Sequence, residues 1–248
     1  MKILVTGGLG SIGLVLVNKL KQNNNEVYFC DLGHFNEKNY YRCDVSSFNQ
    51  LQNLFKKQKF DYVFHLGGEF GRWNGEDFYE NMWKTNVIGT KNLIRLQEEI
   101  GFKMIFASSS EVYGDYEGIM HEDVMEKNFI KQKNDYALSK WVSELQIMNS
   151  KEMFNTDTVR VRIFNTYGPG EYYSYYRSVA CRFIYKALMQ EKYTVYLGHT
   201  RTSTYITDLV NTFSNIPSNF KSGEVYNIAG NDYHTIKEMS DIILELTG

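Results

Sequence analysis

Proline, cysteine and long apolar runs are scarce in this chain of 248 residues, which has two prolines and three cysteines. Cys30, Cys43 and Cys181 are odd in number, widely spaced and without a CxxC pattern, so we expect reduced thiols in a cytoplasmic protein. No apolar stretch approaches the roughly 18–20 residues that span a bilayer. The first predicted strand begins at Lys2, so we expect neither a membrane span nor a signal peptide.

An excess of charge of one sign is also missing. The chain has 27 Lys and Arg against 29 Asp and Glu, a formal net charge of -2, so nothing in its bulk charge favours nucleic acid or an anionic membrane as a partner. Its five histidines lie at positions 34, 65, 121, 199 and 234, without HxH or HxxxH spacing, and we expect no metal site. The composition, 43% hydrophobic and 23% charged, is that of a globular protein with a sizeable core.

A glycine-rich turn joins the first predicted strand to the first predicted helix. Gly7, Gly10 and Gly13 have GxxGxxG spacing, one residue different from GxGxxG. Glycines there allow a tight turn, close approach of a phosphate to the backbone, and close packing of helix on strand. The helix N-terminus at Ser11 and Ile12 offers free N–H groups and a partial positive charge. The turn therefore predicts a site for the pyrophosphate of a dinucleotide.

An aspartate at the end of the second predicted strand favours NAD as that dinucleotide. Asp31 closes the second predicted strand, where a carboxylate accepts hydrogen bonds from ribose hydroxyls and repels the 2′-phosphate of NADP. An ordinary loop aspartate is the alternative interpretation. Asp44 and Val45 follow the third predicted strand and could contact the edge and face of the adenine.

Strands and helices alternate along the first two thirds of the chain. The predicted elements are Lys2–Thr6, Ile12–Leu20, Glu26–Asp31, Ser47–Lys57, Tyr62–Leu66, Thr85–Ile100, Lys103–Ser108, Tyr136–Asn149 and Asp157–Ile163. This alternation predicts an α/β fold, a Rossmann-like doubly wound parallel sheet. We predict an NAD-binding core over residues 1–166. Residues 167–248 should mainly form a small C-terminal substrate-binding lobe that is interleaved with the core, with Ser178–Gly230 outside the regular alternation.

Tyr136 and Lys140 lie four residues apart, on one face of a predicted helix. A free tyrosine has a pKa near 10, and a nearby ammonium can lower it. Tyr136 could then take a hydroxyl proton while hydride leaves the same carbon for NAD. Taken alone, the pair could simply lie on a solvent-exposed face of the helix. The predicted dinucleotide site in the same chain favours a catalytic role instead.

Nine motifs in order resemble those of one family. They are TGGLGSIG, Asp31, Asp44-Val45, HLGG at His65–Gly68, TNVIGT at Thr85–Thr90, SSSEVYG at Ser108–Gly114 with YALSK at Tyr136–Lys140, RIFNTYGP at Arg162–Pro169 and RTSTYITD at Arg201–Asp208. From Met1 to its C-terminus the chain resembles the extended short-chain dehydrogenases/reductases, specifically the NAD-dependent nucleotide-sugar epimerases and dehydratases.

This resemblance implies roles for individual residues. Tyr136 would be the base, Lys140 would hold the nicotinamide ribose, and Ser109 would hydrogen-bond the reacting sugar oxygen. Asn86 would support the site around the cofactor, and the backbone of Leu66 and Gly67 would pass beneath it.

The resemblance also implies how the substrate and a second chain would bind. Asn165 and Arg201 would contact the diphosphate of a nucleotide sugar, although Arg201 could instead be a surface salt-bridge residue. The helices Thr85–Ile100 and Tyr136–Asn149 would pair with those of a second copy in a homodimer.

The chain departs from the family pattern in three places. Gly67-Gly68 replaces the usual two alanines. A long aromatic loop, Glu69–Trp83, is expected to shape the sugar pocket through Glu69, Phe70, Arg72 or Trp73, or else to be a packed loop. The chain ends soon after Ile236–Leu246, where relatives usually continue, so we expect a reduced or incomplete lobe.

Reactions in this family begin by oxidising a sugar hydroxyl, often at C4, to a ketone. Glu111 could then remove a proton beside the ketone, or could be a structural residue facing away from the sugar. Ser110, expected in the substrate site, replaces the aspartate of the dehydratases, which argues against 4,6-dehydration. Ser-Glu occurs in decarboxylating relatives and sometimes in epimerases.

The leading hypothesis from the sequence is a 4-epimerase, with a dehydrogenase, dehydratase or decarboxylase of the same family as alternatives. A non-enzymatic NAD-binding regulator is an alternative of another class, but such relatives typically lose the Tyr–Lys pair.

Overall fold

The computed structural model describes residues 1–248. Its strands are β1 Lys2–Thr6, β2 Glu26–Asp31, β3 Tyr40–Arg42, β4 Tyr62–His65, β5 Lys103–Ser109, β6 Thr158–Ile163, β7 Thr166–Tyr167, β8 Thr200–Thr202, β9 Thr204–Tyr205, β10 Val225–Ile228 and β11 Tyr233–Thr235. Its α-helices are α1 Ser11–Gln22, α2 Phe48–Lys57, α3 Arg72–Asp77, α4 Tyr79–Trp83, α5 Gly89–Ile100, α6 Val124–Lys127, α7 Asp135–Phe154, α8 Val179–Leu188, α9 Ile206–Asn215 and α10 Ile236–Thr247. None of these helices is long and apolar enough to cross a membrane.

Seven strands form one parallel sheet in the order β10-β6-β5-β4-β1-β2-β3. This arrangement confirms the predicted doubly wound parallel sheet. The strand order reverses beside β1, between β2 on one side and β4 on the other. A crevice opens at such a reversal, outside the carboxyl ends of the strands, and ligands of open α/β sheets bind there.

Helices cover both faces of the sheet. The side chains of Ile3 and Val5 pack with α1 and α9 on one face, whereas Leu4 between them packs with α2, α5 and α7 on the other. Because β1 is buried on both faces, its sequence is a continuous apolar run rather than an alternating one. Each such side chain stabilises the fold by about 1.5–3 kcal/mol when fully buried.

The aromatic segment after β4 is more regular than the sequence predicts. Helices α3 and α4 occupy most of Glu69–Trp83, which we predicted as a loop. A π-helical turn, Lys84–Ile88, then leads into α5, so the predicted helix Thr85–Ile100 contains two hydrogen-bond patterns. Helices as short as α3 and α4 carry too few residues for a clear apolar period.

The C-terminal third contributes to the core as well as to a lobe. Helix α9 packs against α1, and β10 pairs in parallel with β6. The prediction that Ser178–Gly230 lies outside the alternation is therefore wrong for β10, whose Tyr226 and Asn227 dilute its apolar pattern. Outside the core, α8 and α10 pack together around Phe183, with the β8–β11 pair beside them.

Candidate active site

One cleft of about 880 Å³ lies along the carboxyl ends of the strands and extends between the sheet and α8. It is where the structure brings the predicted site residues together. The predicted residues that line it are Gly7, Gly10, Ser11, Ile12, Gly13, Asp31, Asp44, Val45, Leu66, Gly67, Glu69, Ser109, Ser110, Glu111, Tyr136, Lys140, Asn165 and Arg201. Asn86 does not line it.

The glycine turn at one end of the cleft leaves no room for side chains. A Cβ on Gly13 would lie 2.0 Å from the carbonyl oxygen of Gly7, and a Cβ on Gly7, whose φ is +70°, would lie 2.8 Å from the amide of Gly67. Gly10 is the N-cap of α1, no side chain caps this helix, and its first turn has no acidic residue. The first N–H groups of the helix therefore point into the cleft without a side-chain partner, which suits an anion.

Asp31 and Asp44 lie farther along the same end of the cleft. The carboxylate of Asp31 accepts hydrogen bonds from the backbone amides of Leu9 at 2.9 Å and Leu32 at 2.7 Å. These bonds hold the carboxylate against the glycine turn, where ribose hydroxyls could donate to its remaining lone pairs. Asp44 accepts a hydrogen bond from the amide of Ser46 at 2.8 Å.

The floor of the cleft is held by a buried hydrogen-bond chain that sequence reasoning missed. The amide of Gly67 donates to Thr6 Oγ1 at 3.0 Å, and Thr6 Oγ1 lies 2.8 Å from His65 Nδ1. On its other side, His65 Nε2 lies 3.1 Å from Thr90 Oγ1, which donates to the carbonyl of Asn86. Burial lowers the pKa of His65 to about 3, so its ring stays neutral. The HLGG motif, which contains His65 and Gly67, is the sequence signal from which these hydrogen bonds could have been predicted.

Asn86 stands behind the cleft wall rather than on it. Its Oδ1 accepts from the amide of Glu69 at 2.7 Å, and its Nδ2 donates to the carbonyl of Glu69 at 3.0 Å and to Ser139 Oγ at 2.9 Å. Asn86 therefore ties the segment after β4 to α7, and its side chain does not line the cleft. Its predicted role, support of the site around the cofactor, stays a prediction. A Cβ on Gly68 would lie 2.8 Å from Asn86 Oδ1 and 3.4 Å from Lys140 Nζ, so a side chain at this position would crowd Asn86.

Tyr136 and Lys140 share one face of α7, as predicted, but their pKa values differ from the expectation. Lys140 is 6% exposed and donates to the carbonyl of Ala107 at 2.9 Å, and burial lowers its pKa to about 8. Burial raises the pKa of Tyr136 to about 12, against the lowering influence of Ser109 and together with the charge of Glu111. The expected lowering of the tyrosine pKa by Lys140 does not occur in the chain alone, where burial is the largest influence and only Ser109 lowers the pKa.

Two helix caps connect the residues around Tyr136. Ser109 Oγ accepts from the amide of Glu111 at 3.2 Å and so caps the short 3₁₀ turn after β5. Asn134, the N-cap of α7, accepts from the amide of Ala137 at 2.8 Å and donates its Nδ2 to Glu111 Oε2 at 3.2 Å. Sequence reasoning missed Asn134, although asparagine before a helix is a common N-cap.

A buried ion cluster lies below Lys140 on α7. Glu144 is fully buried and accepts from Arg162 Nε at 3.0 Å and Arg162 Nη2 at 2.9 Å. Arg160 Nη1 lies 3.3 Å from the same carboxylate, and Ser108 Oγ donates to it at 2.5 Å. The cluster joins α7 to β5 and β6, so it fixes the helix that carries Tyr136 relative to the sheet.

Four arginines line the cleft, and we call them the cleft arginines: Arg72, Arg177, Arg182 and Arg201. Arg72 lies on α3, the other three lie in the C-terminal third of the chain, and the carboxylate of Glu171 lines the same cleft. The arginines that form ion pairs in the structure lie elsewhere. Among the cleft arginines, Arg177 lies 4.2 Å from the ring centroid of Phe70. Only Arg201 was predicted as a diphosphate ligand, because the others lie outside the recognised motifs.

The predicted substrate residues Asn165 and Glu69 are both engaged within the chain. Asn165 has a φ of 23° and donates its Nδ2 to the carbonyl of Thr202 at 3.0 Å. The Glu69 carboxylate accepts from Asn74 at 3.1 Å and Asn81 at 2.8 Å. No carboxylate of the chain, Glu69 included, forms an ion pair with a cleft arginine.

The residues present fit an NAD molecule along this cleft. The glycine turn and the uncapped α1 would hold the pyrophosphate, Asp31 would hold the adenosine ribose, and Lys140 would reach the nicotinamide ribose. The carboxylate of Asp31 would repel a 2′-phosphate. No group of three or more His, Cys, Asp or Glu side chains could hold a metal ion.

Sequence comparison links the chain to named enzymes. It is 31% identical over 264 residues to UDP-glucuronic acid decarboxylase 6 of Arabidopsis thaliana, an alignment that covers 99% of this chain and 74% of that protein. It is 30% identical over 266 residues to UDP-glucuronic acid decarboxylase 1 of Xenopus tropicalis, with 100% of this chain covered. The chain spans 60% of the length of this second relative.

Structural comparison finds the same fold in epimerases. UDP-glucose 4-epimerase of Thermotoga maritima, solved with UDP-glucose, superposes with a TM-score of 0.91 at 25% identity, over 100% of this chain and 83% of that chain. UDP-glucuronic acid 4-epimerase of Bacillus cereus, solved with UDP-glucuronic acid and NAD, superposes with a TM-score of 0.89 at 25% identity, with the same coverage. The model of the NAD dependent epimerase/dehydratase family matches residues 3–229, and this chain belongs to that family.

Proposed function

We propose that the chain oxidises C4 of a UDP-linked uronic acid and then releases the sugar carboxyl group as CO₂. The observation that carries this proposal is the charge of the cleft arginines, none of which is paired with a carboxylate of the chain. A nucleotide diphosphate brings about two negative charges, and a uronate adds a third that a neutral hexose lacks. Guanidinium groups bind phosphate and carboxylate oxygens in a bidentate way.

The named relatives support a uronate as the substrate. The relatives from Arabidopsis and Xenopus are UDP-glucuronic acid decarboxylases, and the structure from Bacillus cereus is bound to UDP-glucuronic acid. The Ser110-Glu111 pair agrees with decarboxylation, because the aspartate of the dehydratases is absent. The 4-epimerase preferred from the sequence becomes the second candidate, favoured by the similarity to solved 4-epimerases.

Tyr136 is the group that takes the proton from the C4 hydroxyl, and Ser109 hydrogen-bonds the same oxygen. Because burial raises the pKa of Tyr136 to about 12, the phenol needs a positive charge nearby before it can act as a base. Lys140, one helical turn away, is the chain's own source of that charge. When bound, NAD would supply the oxidising power as the acceptor, and later the donor, of the C4 hydride.

The ketone at C4 makes the uronate a β-keto acid. The bond between C5 and the carboxyl carbon then breaks, CO₂ leaves, and its electron pair is delocalised toward the ketone oxygen. C5 takes up one proton, and Glu111 in the cleft beside Tyr136 is the group placed to supply it. The balance is one uronate and one proton in, and one pentose and one CO₂ out, with no net redox change.

Product analysis tests this function. Purified protein with NAD is incubated with UDP-glucuronic acid, UDP-glucose and other nucleotide sugars, and NMR follows the products. We expect a UDP-pentose and CO₂ from the uronate and no CO₂ from neutral sugars. Formation of UDP-galacturonic acid without CO₂ would identify a 4-epimerase instead. A chain that binds NAD but converts no nucleotide sugar would favour the regulatory alternative.

A homodimer in the cytoplasm is the proposed form of the protein. Ile88, Leu138 and Leu145 are exposed large apolar side chains near or on the two helices α5 and α7. Pairing these helices with those of a second copy would bury them. Three free cysteines suit a reducing compartment. Analytical ultracentrifugation should give twice the chain mass, and a Leu145→Glu variant should sediment as a monomer.

A further inference from the structure

The side chain of Asn134 makes two hydrogen bonds, one through its Oδ1 and one through its Nδ2. Its Oδ1 accepts from the amide of Ala137 at 2.8 Å and so caps α7, the helix that carries Tyr136. Its Nδ2 donates to Glu111 Oε2 at 3.2 Å. Asn134 is 6% exposed, so the cap bond to Ala137 is buried, whereas the bond to the exposed Glu111 is part-buried. One amide therefore links the start of the tyrosine helix to the carboxylate of Glu111.

The other end of Glu111 is held as well. Its backbone amide donates to Ser109 Oγ at 3.2 Å, so the backbone of Glu111 is tied to one candidate site residue. Its carboxylate is tied through Asn134 to the helix of another. Glu111 is itself exposed on the cleft wall, where a free glutamate side chain would sample several rotamers. A donor at a fixed position reduces that freedom.

We propose that Asn134 is a positioning residue that aims the Glu111 carboxylate at the sugar carbon beside the ketone. This inference rests on the proposed function, because it assigns Glu111 a proton transfer in that reaction. The choice of residue matters for a physical reason. Asparagine, aspartate and serine are comparable N-caps, but only asparagine also presents an N–H donor to a carboxylate.

The cap and the positioning role can therefore be separated by mutation. Asn134→Ser keeps a cap acceptor and removes the amide N–H that donates to Glu111. Asn134→Asp keeps the cap acceptor and places a second carboxylate against Glu111. Asn128→Ser is the matched control, because Asn128 lies in the same connection and donates its amide to the carbonyl of Val124.

Turnover of the proposed substrate is the first measurement. We expect Asn134→Ser to unfold at the wild-type temperature, to bind NAD normally and to lose about tenfold in kcat, the value of one hydrogen bond to a charged group. KM should stay within about twofold, because the residue does not hold the substrate. Asn134→Asp should lose more kcat than Asn134→Ser, and Asn128→Ser should match the wild type.

A double-mutant cycle tells positioning from a general structural role. In a Glu111→Ala background, Asn134→Ser should change kcat by less than about twofold, because the carboxylate that Asn134 positions is already absent. An equal loss in both backgrounds, or no loss in either, would overturn the proposal.

The contact has a readout that needs no activity. In nitrogen-labelled protein, Glu111→Ala should shift the side-chain amide resonances of Asn134, whereas Glu117→Ala, an exposed change nearby, should not. Unmoved resonances would overturn the contact, and with it the proposal, even in an active enzyme. A wild-type chain that converts no nucleotide sugar would overturn the proposed function and the catalytic role of Asn134, while the resonances would still decide whether the contact exists.

Discussion

Lys140 is a buried lysine whose charge costs stability when no cofactor is bound. Its pKa falls from 10.5 to about 8 through burial. At about 1.4 kcal/mol per pKa unit, this shift corresponds to about 3 kcal/mol of destabilisation at neutral pH. Replacing Lys140 by Met removes that cost and loses the hydrogen bond to Ala107, worth about 1 kcal/mol. We therefore expect Lys140→Met to raise the free energy of unfolding of the NAD-free chain by about 2 kcal/mol at about pH 7.

The pH dependence follows from the sign of the shift. The folded chain holds the Lys140 proton less tightly than the unfolded chain, so between about pH 8 and 10.5 the unfolded chain binds more protons. The stability of the wild type relative to Lys140→Met therefore rises with pH across this interval. Near pH 10 the charge cost has fallen to about 1 kcal/mol, which the lost hydrogen bond offsets, and the two proteins should be equally stable.

Urea unfolding followed by circular dichroism measures the effect. A gain of about 2 kcal/mol moves the midpoint by about 1 M when the slope is about 2 kcal/mol/M. Lys133→Met is the matched control, because Lys133 is exposed on the segment just before the same helix, and its midpoint should not move. A Lys140→Met protein that is less stable than the wild type at neutral pH would refute the reasoning, as would a gain that persists unchanged at pH 10.

Three further predictions concern the site and its support. Tyr136→Phe should keep NAD affinity and lose about two to four orders of magnitude in kcat, and an active variant would remove Tyr136 as the base. Gly13→Ala should weaken NAD binding at least about tenfold in calorimetry, because its Cβ would lie 2.0 Å from the carbonyl oxygen of Gly7 and force the turn to move. Glu144→Leu should cost about 3–5 kcal/mol in chemical unfolding, since it leaves Arg162 buried without its carboxylate; a cost below about 1 kcal/mol would contradict this view of the cluster.

Most elements of the core could be predicted from the sequence, because their signals are local. Strands buried on both faces, such as Lys2–Thr6, are apolar runs, and α2 and α5 carry apolar residues at helical spacing. The strand Val225–Ile228 could not be predicted in the sheet. Its place depends on pairing with β6, which lies more than sixty residues earlier in the chain.

The residues of the candidate site also fall into those that local sequence patterns predict and those that only contacts between distant segments bring together. The glycine turn, Asp31 and the Tyr136–Lys140 pair are short patterns whose geometry follows from the element that carries them. Asn134 was not predicted because its contact with Glu111 joins two residues that lie 23 positions apart in the sequence. The cleft arginines come from three separate segments, since Arg177 and Arg182 are close neighbours at the start of α8, and only the tertiary fold brings them to one cleft.

Residue type and spacing were enough to predict the parallel sheet, the dinucleotide turn and the residues that line one end of the cleft. Those features depend on backbone sterics and on helix and strand periods, which neighbouring residues specify. The pKa values of Tyr136 and Lys140, and the place of Asn86 behind the wall, depend on how far each group is removed from water. Burial depends on packing between segments that are distant in the sequence. The glycine turn could therefore be predicted from the sequence alone, whereas the pKa of the proposed base, Tyr136, depends on the folded chain.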